Sequence, residues 1–442
     1  MISSDILWLV LVSGGINLLI WTVAAYIGLI RLKFPIYHPY VIFLAYHFIG
    51  YIVRPFSIYL NDGSFLWDRI GVYPSFMDII RVTVVTNLAL GAIVVGALTS
   101  RNIVYDDKVN PIILEAKNKN MFFVLYFILF GLGLYANYIS IAGAGLDSVL
   151  AYDVKWAADK GGMELVGVSG YQTALAEFIP SLLILLYLMP QYRRLAYILI
   201  ASYVGIRVYA GAQRLSFIVV VLAILFLQLI EKRKKFPDIR VVLMVAILAL
   251  TFDVVGSDRY ALRRIMDGDM DLSEVISNYS NSRGGNGLSS DAVEYDVATA
   301  TLKVVDENYD FSYGTQYLRL LLWGIPRQLW ADKPIMTSIV DLNKYGDFRY
   351  LTTGIYSDAY MVLSYPALML IMFWLGRFMV YAGNIMRRTS KPVMYIFSWI
   401  VLIYFKTVLR DGGVTFAYFW IFSMVPILII AKFSKLKLLR LE

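Results

Sequence analysis

The chain of 442 residues contains no cysteine and only two histidines, His38 and His47. Without cysteine it can form neither a disulfide nor a thiolate metal site, so the sequence carries no mark of the redox state of its compartment. Both histidines fall in one apolar segment, with no cluster of further ligand residues around them. We therefore interpret them as interior histidines, and we expect neither a metal site nor a cofactor.

Charged residues are also scarce, since they make up 16% of the chain, whereas hydrophobic residues make up 59%. This balance excludes a soluble globular protein. The apolar residues gather into about eleven runs, each close to the ~20 residues that a bilayer core requires. The sequence thus predicts an all-α, polytopic integral membrane protein, with spans near 5–30, 37–58, 76–98, 121–142, 171–190, 195–210, 214–230, 240–256, 353–380, 393–409 and 414–431.

The net charge of +8 is a signal of topology, because lysine and arginine concentrate in alternate connections, as the positive-inside rule describes. The residues concerned are Arg31, Lys33, Arg101, Lys108, Lys117, Lys119, Arg193, Arg194, Lys232 to Lys235, Arg240, Arg387, Arg388, Lys391, Lys432, Lys435, Lys437 and Arg440. This pattern places the C-terminus in the cytoplasm and, with an odd number of spans, the N-terminus outside. It does not indicate a nucleic-acid partner.

The longest outward segment, about 257–352, is much longer than an ordinary connection. We expect it to contain short amphipathic helices that lie on the membrane, near 257–270, 272–279 and 291–305, with a hinge at 282–290. The chain then divides into an N-terminal bundle of about eight spans, this large extracytoplasmic loop and about three C-terminal spans, with the boundaries 1–256, 257–352 and 353–442.

Within the loop, the stretch 310–334 combines aromatic rings, cations and two prolines. Residues 313–315 predict a turn and residues 317–323 a short amphipathic helix, which Pro326 ends. Arg327, Trp330 and Lys333 follow on an irregular segment. Such a set suits a site where anionic head groups meet sugar rings, although an interfacial tryptophan belt would also explain the aromatic residues.

Ionisable residues occur at the predicted outer ends of the spans, where charge is costly and often functional. They are Arg54, Asp78, Arg81, Glu177, Arg207, Arg214, Asp253, Asp358, Lys406 and Arg410. Glycine or proline near Arg54, Arg214 and Arg410 predicts broken helices beside these cations, and a broken helix is tolerated in a membrane only where it lines a cavity. We expect an outward cavity fringed by Arg207, Arg214, Arg327 and Arg410, with a solvated interfacial rim as the alternative.

The motifs 311–314 (FSYG), 325–327 (IPR) and 330–334 (WADKP) resemble the outer-loop signature of the Wzy-type O-antigen and capsule polymerases. Arg283-Gly284-Gly285 upstream and 354–364 downstream follow in the order that this family shows. The resemblance covers about the last third of the chain. It implies a metal-independent glycosyltransferase of the bacterial inner membrane that polymerises undecaprenyl-pyrophosphate-linked oligosaccharide units for lipopolysaccharide or capsule, with a chain-length regulator as a possible partner.

The chemistry requires groups that bind the pyrophosphate and sugars and a base that deprotonates the acceptor hydroxyl. For binding, the candidates are Arg207, Arg214, Arg283, Arg327, Trp330, Lys333 and Arg410. Asp358 is the candidate base, at a position where related polymerases often carry Glu; as a helix N-terminal acid, it would instead be structural. The reserve acids are Glu177, Asp253 and Asp258. The family tends to continue with Asn-Phe-Gly, where this chain has 363–366 (LSYP).

Two other functions share this architecture. An O-antigen ligase also has many spans and a large outer loop, but ligases tend to use a histidine in that loop, and residues 257–352 contain none. A lipid-linked oligosaccharide transporter or flippase predicts ionisable groups near the middle of the membrane and paired, repeated broken helices. The predicted outer layer of charge and the single large loop favour the polymerase.

Overall fold

The structure is a computed structural model, and most of the part that it describes is helical. It describes residues 4–60, 65–100, 112–142, 156–157, 162–163, 174–209, 215–232, 293–308, 311–322, 330, 342, 344–348 and 351–440, together with isolated positions between 234 and 277.

Thirteen α-helices are labelled in chain order. They are α1 (Ser4–Ala25), α2 (Pro39–Phe48), α3 (Arg54–Leu60), α4 (Phe65–Ile70), α5 (Phe76–Leu98), α6 (Lys119–Ala142), α7 (Phe178–Tyr187), α8 (Arg193–Tyr209), α9 (Leu215–Glu231), α10 (Glu294–Asn308), α11 (Thr315–Leu322), α12 (Gly354–Arg388) and α13 (Pro392–Ser434). Short π-helical turns at Tyr26–Arg31 and Ile49–Val53 extend α1 and join α2 to α3.

The lengths and compositions of these helices confirm a multi-pass membrane protein. Six are long and apolar enough to cross a bilayer: Ser4–Arg31, Pro39–Leu60, Phe76–Leu98, Lys119–Tyr138, Gly354–Arg388 and Ala417–Ser434. Two bent pairs, Ala174–Tyr187 with Pro190–Arg207 and Pro392–Phe405 with Thr407–Val414, raise the number to 8 if each pair is one span. The count of eleven stays a prediction, because the fifth and sixth predicted spans form one bent pair and the eighth lies outside the described residues.

The chain forms two compact units, and each of the three predicted regions contributes to both. The first unit comprises Met1–Tyr105, Gly285–Asn384 and Tyr404–Tyr418, and the second comprises Asp106–Gly284, Ile385–Ile403 and Phe419–Glu442.

In the first unit, helices α5 and α12 cross with their backbones in contact. A Cβ added at Gly96 would overlap the carbonyl oxygen of Phe373, and one added at Gly376 would overlap that of Ile93. Small residues at such a crossing let membrane helices approach closely. Helix α1 joins the same bundle through Asn17, whose amide donates to the Tyr51 carbonyl at 2.9 Å in the π-helical turn before α3.

In the second unit, two short antiparallel sheets accompany the helices. Strand β1 (Ile112–Ala116) pairs with β4 (Leu436–Arg440), and β2 (Trp156–Ala157) pairs with β3 (Gly162–Met163). The Leu114 N–H donates to the Leu188 carbonyl at 2.9 Å, so β1 is also fixed to the end of α7. Every residue of α7 is buried, which makes it the core helix of this unit.

Candidate functional site

Asp358 lies in the second turn of α12, in the first unit, and its side chain is buried, with the residue only 2% exposed. The Thr353 hydroxyl donates a hydrogen bond to its Oδ1 atom, and the Gln316 amide donates to its backbone carbonyl at 3.1 Å. The predicted helix start before Asp358 is confirmed, but the first turn contains no acid. A stabilising effect of the helix dipole falls off within that first turn, so it explains this buried carboxylate poorly.

The Asp358 carboxylate lies against a break in α13. Gly412 has φ +84° and ψ 174°, a conformation open essentially to glycine alone, and it interrupts the helix. A Cβ added at Gly412 would overlap the Asp358 Oδ2 atom, well inside the 3.0 Å that real Cβ atoms essentially never breach. The interruption predicted at 411–413 is thus confirmed, and it brings an acid from one helix against the bare backbone of another.

Arg410 flanks the same break, and among the described candidate cations it is the one near Asp358. Its side chain is 35% exposed, and its Nε atom lies 3.5 Å from Asp411 Oδ1. Its backbone carbonyl accepts a hydrogen bond of 2.8 Å from the Thr352 hydroxyl, just before α12 begins. The start of α12 and the break in α13 are therefore held together.

Helix α11 provides two further side chains at this place. Gln316 is 1% exposed, and the ring of Tyr317 would lie 3.2 Å from a Cβ added at Gly413. Burial, and then the charge of Asp358, raise the pKa of Tyr317 well above its ordinary value. The Tyr317 hydroxyl therefore stays protonated and able to donate a hydrogen bond beside an acid.

The turn before α11 explains how these residues are held. Tyr313 (φ +48°) and Gly314 (φ +81°) form the turn that the sequence predicts, and α11 begins at Thr315. The N–H groups of Ser312 and Tyr313 donate to the carbonyls of Met361 and Val362, at 2.8 and 3.0 Å. Those carbonyls need outside partners because α12 is itself broken at Leu363 and Ser364.

This second break lies where the chain departs from the family's Asn-Phe-Gly pattern. Leu363 and Ser364 have non-helical backbone angles three and two residues before Pro366, which cannot continue the hydrogen-bond ladder. The FSYG motif, which resembles part of an outer-loop signature, has a structural role here. Its backbone N–H groups donate hydrogen bonds to carbonyls that the break in α12 leaves without helical partners.

The other predicted site residues that the structure describes belong to both units. In the second unit, Arg207 is buried and donates to Asn137 Oδ1 at 2.7 Å, while Glu177 is buried just before α7 and its carbonyl accepts a 3.3 Å bond from Ser423. In the first unit, Trp330 is 38% exposed. The remaining candidates lie outside the described residues: Arg214, Arg283, Arg327, Lys333, Asp253 and Asp258.

Two of the cations predicted at the outer ends of spans are paired with the protein's own acids. Arg54 makes a two-pronged ion pair with buried Asp296 of α10, at 2.7 and 3.2 Å. Arg81 contacts Asp78 at 2.9 Å and Asp306 at 2.7 Å. Asp78 is only three residues from Arg81, but α10 follows these spans by more than two hundred residues, so the sequence offered no local sign of the pairing with Asp296 and Asp306.

The histidines are interior residues, as the sequence indicates. His38 caps α2, where its Nδ1 accepts from the Tyr40 N–H at 3.1 Å, and its ring stacks on Phe34 at 3.9 Å. His47 Nδ1 lies 2.7 Å from the Tyr356 hydroxyl. Within the described part of the chain, no group of three or more His, Asp or Glu residues is placed to hold a metal ion.

Comparison of the chain with family models, curated proteins and solved structures gives no match. The resemblance to the repeat-unit polymerases therefore stays a prediction, and the function has to be argued from the site itself.

Proposed function

We propose that the chain is a membrane glycosyltransferase that polymerises undecaprenyl-pyrophosphate-linked oligosaccharide units into O-antigen or capsular polysaccharide. It would act at the outer face of the bacterial inner membrane, with its C-terminus in the cytoplasm, and a chain-length regulator is a possible partner. The observation that carries the proposal is the Asp358 carboxylate, buried against the broken backbone at Gly412 and two residues from the partly exposed Arg410.

In the proposed step, an acceptor hydroxyl attacks the anomeric carbon of the lipid-linked donor. A new C–O bond forms, the bond from that carbon to the pyrophosphate oxygen breaks, and undecaprenyl pyrophosphate leaves with the electron pair. Asp358 takes the proton of the acceptor hydroxyl, and solvent later receives it. The arginine next to the break supports this division of roles, because a guanidinium stabilises the charge that develops on the leaving group.

The test compares Asp358→Asn with wild type in a purified assay of polymer formation from lipid-linked repeat units. The amide keeps the size of the side chain and can still accept from Thr353. We expect polymer formation to fall by about 10²- to 10⁴-fold, the usual contribution of a general base, while the lipid-linked donor still binds. The matched control is Glu307→Gln, an exposed acid of α10 in the same unit, which should leave the rate unchanged. Normal polymer in Asp358→Asn would remove Asp358 from the catalytic role.

The breaks in α12 and α13 and the bent pair of α7 and α8, inclined by 110°, favour one other candidate, a transporter of lipid-linked oligosaccharides. Proteoliposomes separate the two functions. A polymerase lengthens the saccharide on units supplied to one leaflet, whereas a transporter moves unchanged units to the other leaflet. Movement without elongation would replace the proposed function with transport.

A further inference from the structure

Two buried polar atoms of α11 lie near Asp358 and have no hydrogen-bond partner in the described part of the chain. Gln316 Oε1 and the Tyr317 hydroxyl are both shielded from solvent, and neither has a hydrogen-bond partner among the residues that the structure describes. The other end of the Gln316 side chain is engaged, since its amide nitrogen donates to the Asp358 carbonyl. Buried polar atoms are nearly always hydrogen-bonded, so these two atoms, on consecutive residues next to Asp358, indicate a place where a polar ligand binds.

Neighbouring glycines let the Tyr317 side chain and the Asp358 carboxylate approach the same stretch of backbone. Asp358 Oδ2 lies where a Cβ of Gly412 would be, and the Tyr317 ring lies 3.2 Å from the position of a Cβ at Gly413, with its hydroxyl at 3.7 Å. Consecutive residues are about 3.8 Å apart along the backbone. The Asp358 carboxylate and the Tyr317 ring therefore lie against two consecutive residues of the α13 backbone, neither of which carries a side chain.

The hydrogen-bonding groups gathered here select an uncharged hydroxyl. Tyr317 remains protonated and can donate, whereas Gln316 Oε1 and the Asp358 carboxylate can only accept. A sugar hydroxyl accepts one hydrogen bond and donates another, so it matches both kinds of partner. A pyrophosphate offers acceptors alone and would be repelled by the carboxylate.

We propose that Gln316, Tyr317 and Asp358 form the binding site for the reacting hydroxyl of the acceptor saccharide, separate from the place where the donor's pyrophosphate binds. This inference rests on the proposed function, and it adds which of the two substrates contacts α11. It assigns Tyr317 as an acceptor-binding residue and Asp358 as the group that receives the proton.

Tyr317→Phe tests the assignment, because it removes one oxygen atom and nothing else. The acceptor probe is the free repeat-unit oligosaccharide, released from its lipid by mild acid, which can accept but cannot donate. In Tyr317→Phe we expect the KM for this acceptor to rise about 2- to 12-fold, as the loss of one hydrogen bond predicts, with the KM for the lipid-linked donor unchanged.

The thermal stability of the same variant excludes a merely structural role. Removing a buried hydroxyl that has no hydrogen-bond partner among the described residues should leave the unfolding midpoint unchanged or raise it. The control is Tyr313→Phe. Tyr313 lies on the turn before α11, four residues from Tyr317, and is 72% exposed, so this variant should change neither the acceptor KM nor the donor KM. An unchanged acceptor KM in Tyr317→Phe, or a rise confined to the donor KM, would overturn the inference.

A binding measurement separates this inference from the proposed function. The free oligosaccharide should raise the unfolding midpoint of the wild-type chain and raise that of Tyr317→Phe less. If these midpoint shifts occur but no polymer forms, the binding site for the hydroxyl is retained and the polymerase function is rejected. Polymer formation with equal midpoint shifts in both chains would retain the polymerase and reject the site.

Discussion

Among substitutions that add a single methyl group to the site, Gly412→Ala should be the most damaging. The backbone conformation of Gly412, φ +84° and ψ 174°, costs a residue with a Cβ about 1–3 kcal/mol. The new methyl group would also overlap Asp358 Oδ2, so the carboxylate must leave its position. We expect the free energy of unfolding in detergent to fall by at least the backbone cost. Polymer formation should fall by about 10²-fold or more, because the base is displaced.

The two contributions can be separated in an Asp358→Ala background. There the methyl group no longer meets a carboxylate, so Gly412→Ala should cost only the backbone strain, and the difference between the two backgrounds measures the contact. Gly91→Ala on α5 is the matched control, since nothing lies within 4 Å of the added Cβ. It should be neutral or stabilise by up to about 1 kcal/mol. An unfolding free energy and polymer yield equal to wild type in Gly412→Ala would refute the placement of Asp358 at this break.

Two further predictions concern the ion pair and the topology. Arg54→Ala leaves the Asp296 carboxylate (0% exposed) without its guanidinium and should destabilise the chain by about 3–5 kcal/mol. Arg54→Lys should recover only part of this, because lysine cannot reproduce the planar fork, while the exposed Arg388→Ala should be nearly neutral in the same denaturation assay. Cysteines introduced at Arg283 and Lys234 should be labelled by impermeant reagents from opposite faces of the membrane. Labelling of both from one face would reject the predicted orientation.

What the sequence predicts well is local. The turn at 313–315, the helix start before Asp358 and the interruption at 411–413 all follow from glycine or proline at positions where the backbone must leave the helix. Hydrophobic run length likewise predicts the long spans, because a bilayer of fixed thickness imposes it. At 171–210 the two predicted spans correspond to two helices inclined by 110°, and run length alone does not encode that bend.

What the sequence could not predict depends on contacts between distant segments. Arg54 and Asp296 are separated by 242 positions, and only the folded chain shows that the cation is matched internally. Gln316 and Tyr317 carry no motif of their own. Their distance from the predicted turn was the available signal. A helix that begins at Thr315 places Gln316 and Tyr317 in its first turn, directly after the segment that contacts α12.

Hydrogen bonds hold residues 312–316 at a fixed position along α12, next to Asp358. Ser312 and Tyr313 donate to the Met361 and Val362 carbonyls, and Gln316 donates to the Asp358 carbonyl, so three hydrogen bonds align 312–316 with 358–362. The first two bonds exist because α12 is broken at Leu363 and Ser364, which frees carbonyls that a continuous helix would use internally. The break in α12 thereby positions Tyr317, and the break in α13 admits Asp358. A continuous α12 would leave α11 without this anchor, and Tyr317 would no longer be held beside the acid.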